Sequence, residues 1–299
     1  MANWGSKLVS SIREKGEKMQ GEMSFFEHLE ALRWHIIRTA LFVLAGAIVA
    51  FTFFKDFFFS GIILAPTRTD FWTYRMMCNF GHWVHGLVSF ISADDFCVHE
   101  FNFKLINTEM AGQFTLQLNT SIMIGLICGI PYLLFELWRF IRPALHEKER
   151  KAASGFVFYA SALFFIGVLF GYYIVTPLSV RFFATYNVSD VITNYFDVDN
   201  YISSVSWLTL LAGIVFQLPM VVYILSSLGI MTPKFMRRTR RYATIIILIL
   251  AAIITPSPDA LTMLVVAAPL FILYEFSIMV SAVVERRKLK REKAEGLSV

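Results

Sequence analysis

Five apolar stretches of more than twenty residues, and a sixth that is shorter, limit this chain to one kind of fold. A helix needs about 20 predominantly apolar residues to cross a bilayer. The blocks run over 34–54, 114–138, 152–176, 205–228, 242–254 and 260–284. Hydrophobic residues make up 57% of the chain and charged residues only 16%, whereas soluble domains hold roughly 45–50% apolar residues. The expected fold is an all-α integral membrane protein of six transmembrane helices and not a soluble enzyme. Pro131 stands inside the second block as an expected kink. The last two blocks are separated by Thr255-Pro256-Ser257-Pro258-Asp259, which cannot continue a buried helix, so they read as a short hairpin. Its first arm, 242–254, covers only about 20 Å at about 1.5 Å per residue, short of a hydrocarbon core about 30 Å thick.

The basic residues set the expected orientation. Of 27 lysines and arginines, 22 lie in the N-terminal segment, the second-to-third and fourth-to-fifth connections and the tail; 5 lie in the remaining segments. The positive-inside rule then puts both termini in the cytoplasm, as an even number of spans requires. Residues 1–33 form a polar cytoplasmic segment and 285–299 a basic cytoplasmic tail. Residues 1–30 lack a signal peptide's apolar core and cleavage site, so the first span is expected to act as an uncleaved anchor. Because the basic residues flank apolar blocks, the net charge of +5 reads as a topology signal and nucleic acid is not an expected partner. Paired interrupted helices, the usual mark of an inverted-repeat transporter, are missing from the pattern.

The first outer connection, from Lys55 to Gly112, is long and begins apolar, so a helix or interfacial segment is expected to continue to Pro66. Cys78 and Cys97 fall on the side where disulfides persist. A bridge between them would close a loop of about 20 residues, worth roughly 3 kcal/mol in the chain-entropy model; two free thiols in a reducing setting are the alternative. Cys78, His82 and His85 offer three ligands and no clear fourth, so no metal is expected. Gly125-x-x-x-Gly129 reads as small-residue helix packing. Nothing resembles a nucleophile–base pair or a phosphate-binding glycine loop, and no cofactor is expected.

An ionisable group near the bilayer centre costs roughly 2.5–3.5 kcal/mol, which singles out Glu275, with Gln217 at lower cost and Asp259 near the turn. They could line a polar concavity that docks a partner helix, or simply bond between helices.

Four separated motifs resemble the TatC family, the multi-spanning receptor of the twin-arginine protein translocase. They are Ser24-Phe25-Phe26-Glu27-His28-Leu29-Glu30-Ala31-Leu32-Arg33; Phe135-Glu136-Leu137-Trp138-Arg139-Phe140-Ile141-Arg142-Pro143-Ala144-Leu145 with Glu149-Arg150; Phe216-Gln217-Leu218-Pro219; and Ile254-Thr255-Pro256 with Asp259. The resemblance spans about 23–285. It implies recognition of the paired arginines of signal peptides on folded precursors, with Glu149 as one acceptor and Glu30 or Glu27 as the second. Carboxylates suit that task because they hold a guanidinium bidentately. The resemblance also implies that Leu32, Arg33, Phe140 and Pro143 shape the surface. It further implies single-span TatA/TatB-type partners, a homo-oligomer within a larger complex, and transport driven by the proton gradient. The sequence departs from the family pattern at Ala31 and Gln217, where Glu is usual. A small-solute or ion transporter, dependent on Glu275 or Gln217 and indifferent to Glu149, is the alternative.

Overall fold

A computed structural model describes residues 25–53, 57–87, 97, 101, 103–141, 155–189, 194–255 and 260–294. The described residues form a mostly helical membrane bundle. Helix α1 (Phe25–Phe53) forms the first span and α3 (Gly112–Ile141) the second. Between them lie a π-helical turn at Phe57–Ile63, a 3-10 turn at Ala65–Thr67 and α2 (Trp72–Leu87). The third span is α4 (Phe156–Phe170), a π-helical turn at Gly171–Val175 and α5 (Thr176–Thr185). The fourth is α6 (Val198–Val215) followed by α7 (Leu218–Ser227). After α8 (Pro233–Arg238) come α9 (Arg240–Ile254) and α10 (Ala260–Ala294), the fifth and sixth. Among the described residues, five segments are long and apolar enough to cross a bilayer. The 15-residue α9 is the short arm that the sequence leads one to expect.

Several boundaries differ from the apolar blocks. The first helix starts at Phe25, well before the apolar block that begins at Trp34, and the last runs to Ala294 through what reads as a separate basic tail. Amphiphilic helix ends need no apolar side chains once they stand in water, so hydropathy misses them. One element has no sequence signature: a two-stranded parallel ladder, β1 (Lys104–Ile106) on β2 (Tyr195–Asp197). It stitches the connection between the first two spans to the one between the third and fourth. Thr108 Oγ1 donates to Asp197 Oδ2 at 2.7 Å, and Asp197 in turn caps α6 by accepting from the Asp199 N–H at 2.8 Å. These donors hold the Asp197 carboxyl below its usual range, the Thr108 hydroxyl contributing most.

Glycine brings α1 and α3 together. A Cβ added at Gly125 would stand 2.6 Å from the Val43 carbonyl oxygen, and one at Gly129 would meet the Val43 side chain. Small residues at a four-residue spacing allow this approach of two backbones.

Proline helps organise the end of the bundle opposite the chain termini. Pro177 has no N–H to give the Tyr173 carbonyl one turn earlier; the Thr73 hydroxyl of α2 donates to that carbonyl instead. The Tyr172 and Tyr201 hydroxyls donate to the Ile62 and Ile63 carbonyls at 2.6 and 2.8 Å, closing the exposed end of the first π-helical turn. Four spans share a core built on Val175, Leu208, Phe216, Ala251 and Leu270.

Candidate functional site

The ends of α1 and α3 on the side of the chain termini meet in a polar cluster. Glu136 is buried, 2% exposed. Its carboxylate bonds His35 Nδ1 of α1 and accepts from the Tyr132 hydroxyl at 2.9 Å, so both oxygens are engaged. A carboxylate withdrawn from water is tolerated only when paired in this way. The Phe140 ring lies edge-on to His35 at 6.0 Å. The cluster fixes the end of α1, which carries Glu30, Leu32 and Arg33, against the last turn of α3. Glu30 and Arg33 are exposed there and Leu32 is half-buried. Glu27 lies in α1, but its side chain is outside the described residues, as are Pro143, Glu149 and Asp259. Thus Phe140, Leu32, Arg33 and Glu30 gather on one side of the bundle, while the segment bearing Glu149 begins one residue beyond α3.

Sequence reasoning passed over Glu136 and His35, although both are ionisable groups inside or at the edge of an apolar block. That is the signal that intramembrane acids usually give.

Gln217 sits where the fourth span breaks, just before Pro219. Its Nε2 donates to the Ala160 carbonyl at 3.0 Å, and its Oε1 is buried with no hydrogen-bond partner. Glu275 does not stand alone in lipid: Arg240 Nη2 reaches its carboxylate at 2.9 Å, with both side chains about half exposed. A cleft of about 390 Å³ opens between the third, fourth and sixth spans on the side of the termini. Tyr159, Met220, Tyr223, Phe276 and Arg287 line it.

On the far side Cys78 and Cys97 are joined by a disulfide. His82 is close to both sulfurs, but sulfurs joined to each other are not thiolate ligands.

Residues 27–269 match the family model described as Sec-independent protein translocase protein (TatC). The Sec-independent protein translocase protein TatC of Blattabacterium sp. subsp. Periplaneta americana (strain BPLAN) is 36% identical over 92% of this chain and 100% of its own length. The corresponding protein of Aquifex aeolicus (strain VF5) is 31% identical over 91% of this chain and 100% of its own. A crystal structure of the twin arginine translocase receptor TatC superposes with a TM-score of 0.62 at 30% identity, covering 87% of this chain and all of that one. With four-fifths of its length inside the family model and full-length relatives above 30% identity, the chain belongs to the TatC family of Sec-independent protein translocase proteins.

Proposed function

We propose that this chain is the signal-peptide receptor and core membrane subunit of a twin-arginine translocase, exporting folded proteins with the proton-motive force. The supporting observation, beside family membership, is the His35–Glu136 junction. It holds the acidic end of α1 beside the exit of α3, from which the chain leads to Glu149. A carboxylate at the end of α1 and one in the segment that follows α3 would each take one guanidinium of an arginine pair, with bidentate geometry that lysine does not reproduce. Glu149 is the first acceptor and Glu30 or Glu27 the second, with Leu32, Arg33, Phe140 and Pro143 bordering them.

The protein works as a receptor without catalysis or cofactor, in the bacterial cytoplasmic membrane, with both termini in the cytoplasm. Its partners are twin-arginine signal peptides, single-span TatA/TatB-type subunits, membrane lipid and further copies of itself. Gln217, Asp259 and Glu275 belong to the partner-docking surface. The unpartnered Gln217 Oε1 offers a buried acceptor there. Engagement of Glu275 by Arg240 weakens the transporter alternative, which needs that acid free at mid-membrane.

Binding of a twin-arginine signal peptide to the protein in nanodiscs tests the reading. A twin-lysine peptide and Glu149→Ala serve as controls. Binding lost in both is the expected result; equal binding of both peptides to well-folded protein would overturn it.

A further inference from the structure

Helix α2 has an exposed face of unusual composition. At about 100° per residue, Trp72, Trp83, Met76 and Phe80 fall on one arc, and all are more than half exposed. The adjoining exposed arc carries Asn79, Arg75 and His82. The third side, with Phe71, Thr73, Tyr74 and Gly81, is buried against the bundle. The exposed surface of α2 is therefore itself divided into an aromatic half and a polar, basic half.

A helix in water has no use for such a division, and a helix within lipid would not carry the polar half. A helix lying in the plane of the bilayer interface needs both, with tryptophan the preferred residue at that level.

The position of α2 agrees. Trp72 meets the Tyr173 ring edge-on at 6.0 Å, and Phe71 stacks on it at 5.7 Å. Tyr173 lies 17 residues beyond Phe156, about 25 Å along the third span, near the far edge of a hydrocarbon core about 30 Å thick. Below it on the same span Ile166 and Leu169 are exposed as lipid-facing side chains. The aromatic half of α2 thus continues the lipid-facing surface of the third span. The Thr73 bond to the Tyr173 carbonyl and the Cys78–Cys97 bridge hold the helix at that height.

We infer that α2 is an interfacial helix that seats Trp72, Met76, Phe80 and Trp83 in the lipid leaflet opposite the chain termini, with Arg75 and His82 turned to the headgroups. The inference uses only the membrane fold and is independent of the receptor reading. Its consequence is that the long first outer connection is anchored on lipid and does not hang free in solution.

The test is tryptophan quenching in nanodiscs made with lipids brominated near the headgroup end of the acyl chain. Trp4→Phe, Trp34→Phe and Trp207→Phe leave Trp72, Trp83 and the buried Trp138. A matched protein with Trp72→Phe and Trp83→Phe added gives the Trp138 baseline. The signal of Trp72 and Trp83, after subtraction, is expected to be lost in large part in brominated lipid relative to unbrominated lipid, with aqueous iodide having little effect. Quenching by iodide and not by bromine would overturn the inference in favour of a solvent-exposed helix. Quenching by neither would overturn it in favour of a protein cover, such as a second copy. Unchanged receptor binding would leave it intact, and lost binding with quenching retained would count against the receptor reading alone.

Discussion

Replacing Gly125 by alanine tests the backbone contact on which the first two spans depend. The added Cβ would stand 2.6 Å from the Val43 carbonyl oxygen and 2.7 Å from the Ala47 nitrogen, where ordinary contact begins at 3.4 Å. The helices would have to part by roughly 0.8 Å, and the atoms in the way are backbone, which cannot rotate aside as a side chain can. Overpacking of this kind costs about 1–3 kcal/mol. Helix propensity acts in the opposite direction, since alanine is favoured over glycine by about 1 kcal/mol in a helix interior. The expected net loss is about 2 kcal/mol at the upper end of the steric cost and falls toward zero at its lower end. Thermal unfolding of the purified protein in detergent, read as the fraction remaining monodisperse after heating, measures it. Gly129→Ala meets chiefly the tip of the Val43 side chain and should lose less; Gly61→Ala, with nothing within 4 Å, should change little. If Gly125→Ala melts at or above the parent temperature, propensity outweighs sterics and the close approach does not support the bundle. Separation of these helices should also weaken the His35–Glu136 junction, since it spans the same interface.

Glu136→Leu removes the acceptor for His35 and Tyr132 and should destabilise the protein by about 2–4 kcal/mol, while Glu136→Gln, which keeps an acceptor, should lose less; equal melting temperatures for all three would refute the account. Cys78→Ser should abolish the mobility difference between reduced and oxidised protein on a gel and cost roughly 3 kcal/mol for a loop of this length; a parent protein with no such difference would remove the bridge. Asp197 titrates below the ordinary aspartate value of about 3.9. The stabilisation it brings is therefore present above that value and lost as pH falls through the lower folded-state value. Thr108→Val, which deletes the largest cause, should raise the Asp197 midpoint in a carboxyl NMR titration; identical midpoints would sink the assignment.

Much of the architecture was legible because hydrophobic burial in a bilayer is a local, additive property of sequence. Five long apolar spans, the short 15-residue arm and the close packing at Gly125 and Gly129 appear in the structure, with helix ends that depart from the apolar blocks. The candidate site was legible only in part. Glu30 and Arg33 stand exposed at the end of α1 and Phe140 lies in the last turn of α3, yet the junction that brings these helices together rests on residues 101 positions apart in the chain. Nothing in one segment announces a partner in another. Glu275 shows the same limit: as an acid in an apolar block it looked isolated, and its partner Arg240 is contributed by a different helix.

The sequence by itself determined membrane residence, the number of spans and the shortness of the fifth, because these follow from residues interacting with solvent, lipid and their own backbone. Only the tertiary structure decided which polar groups meet. The His35–Glu136 junction, the tyrosines closing the turn at Ile62 and Ile63, the β1–β2 ladder and the seating of α2 on Tyr173 all join segments far apart in sequence. Their energies depend on hydrogen-bond geometry over distances of a few ångströms, and that geometry exists only after the spans have packed.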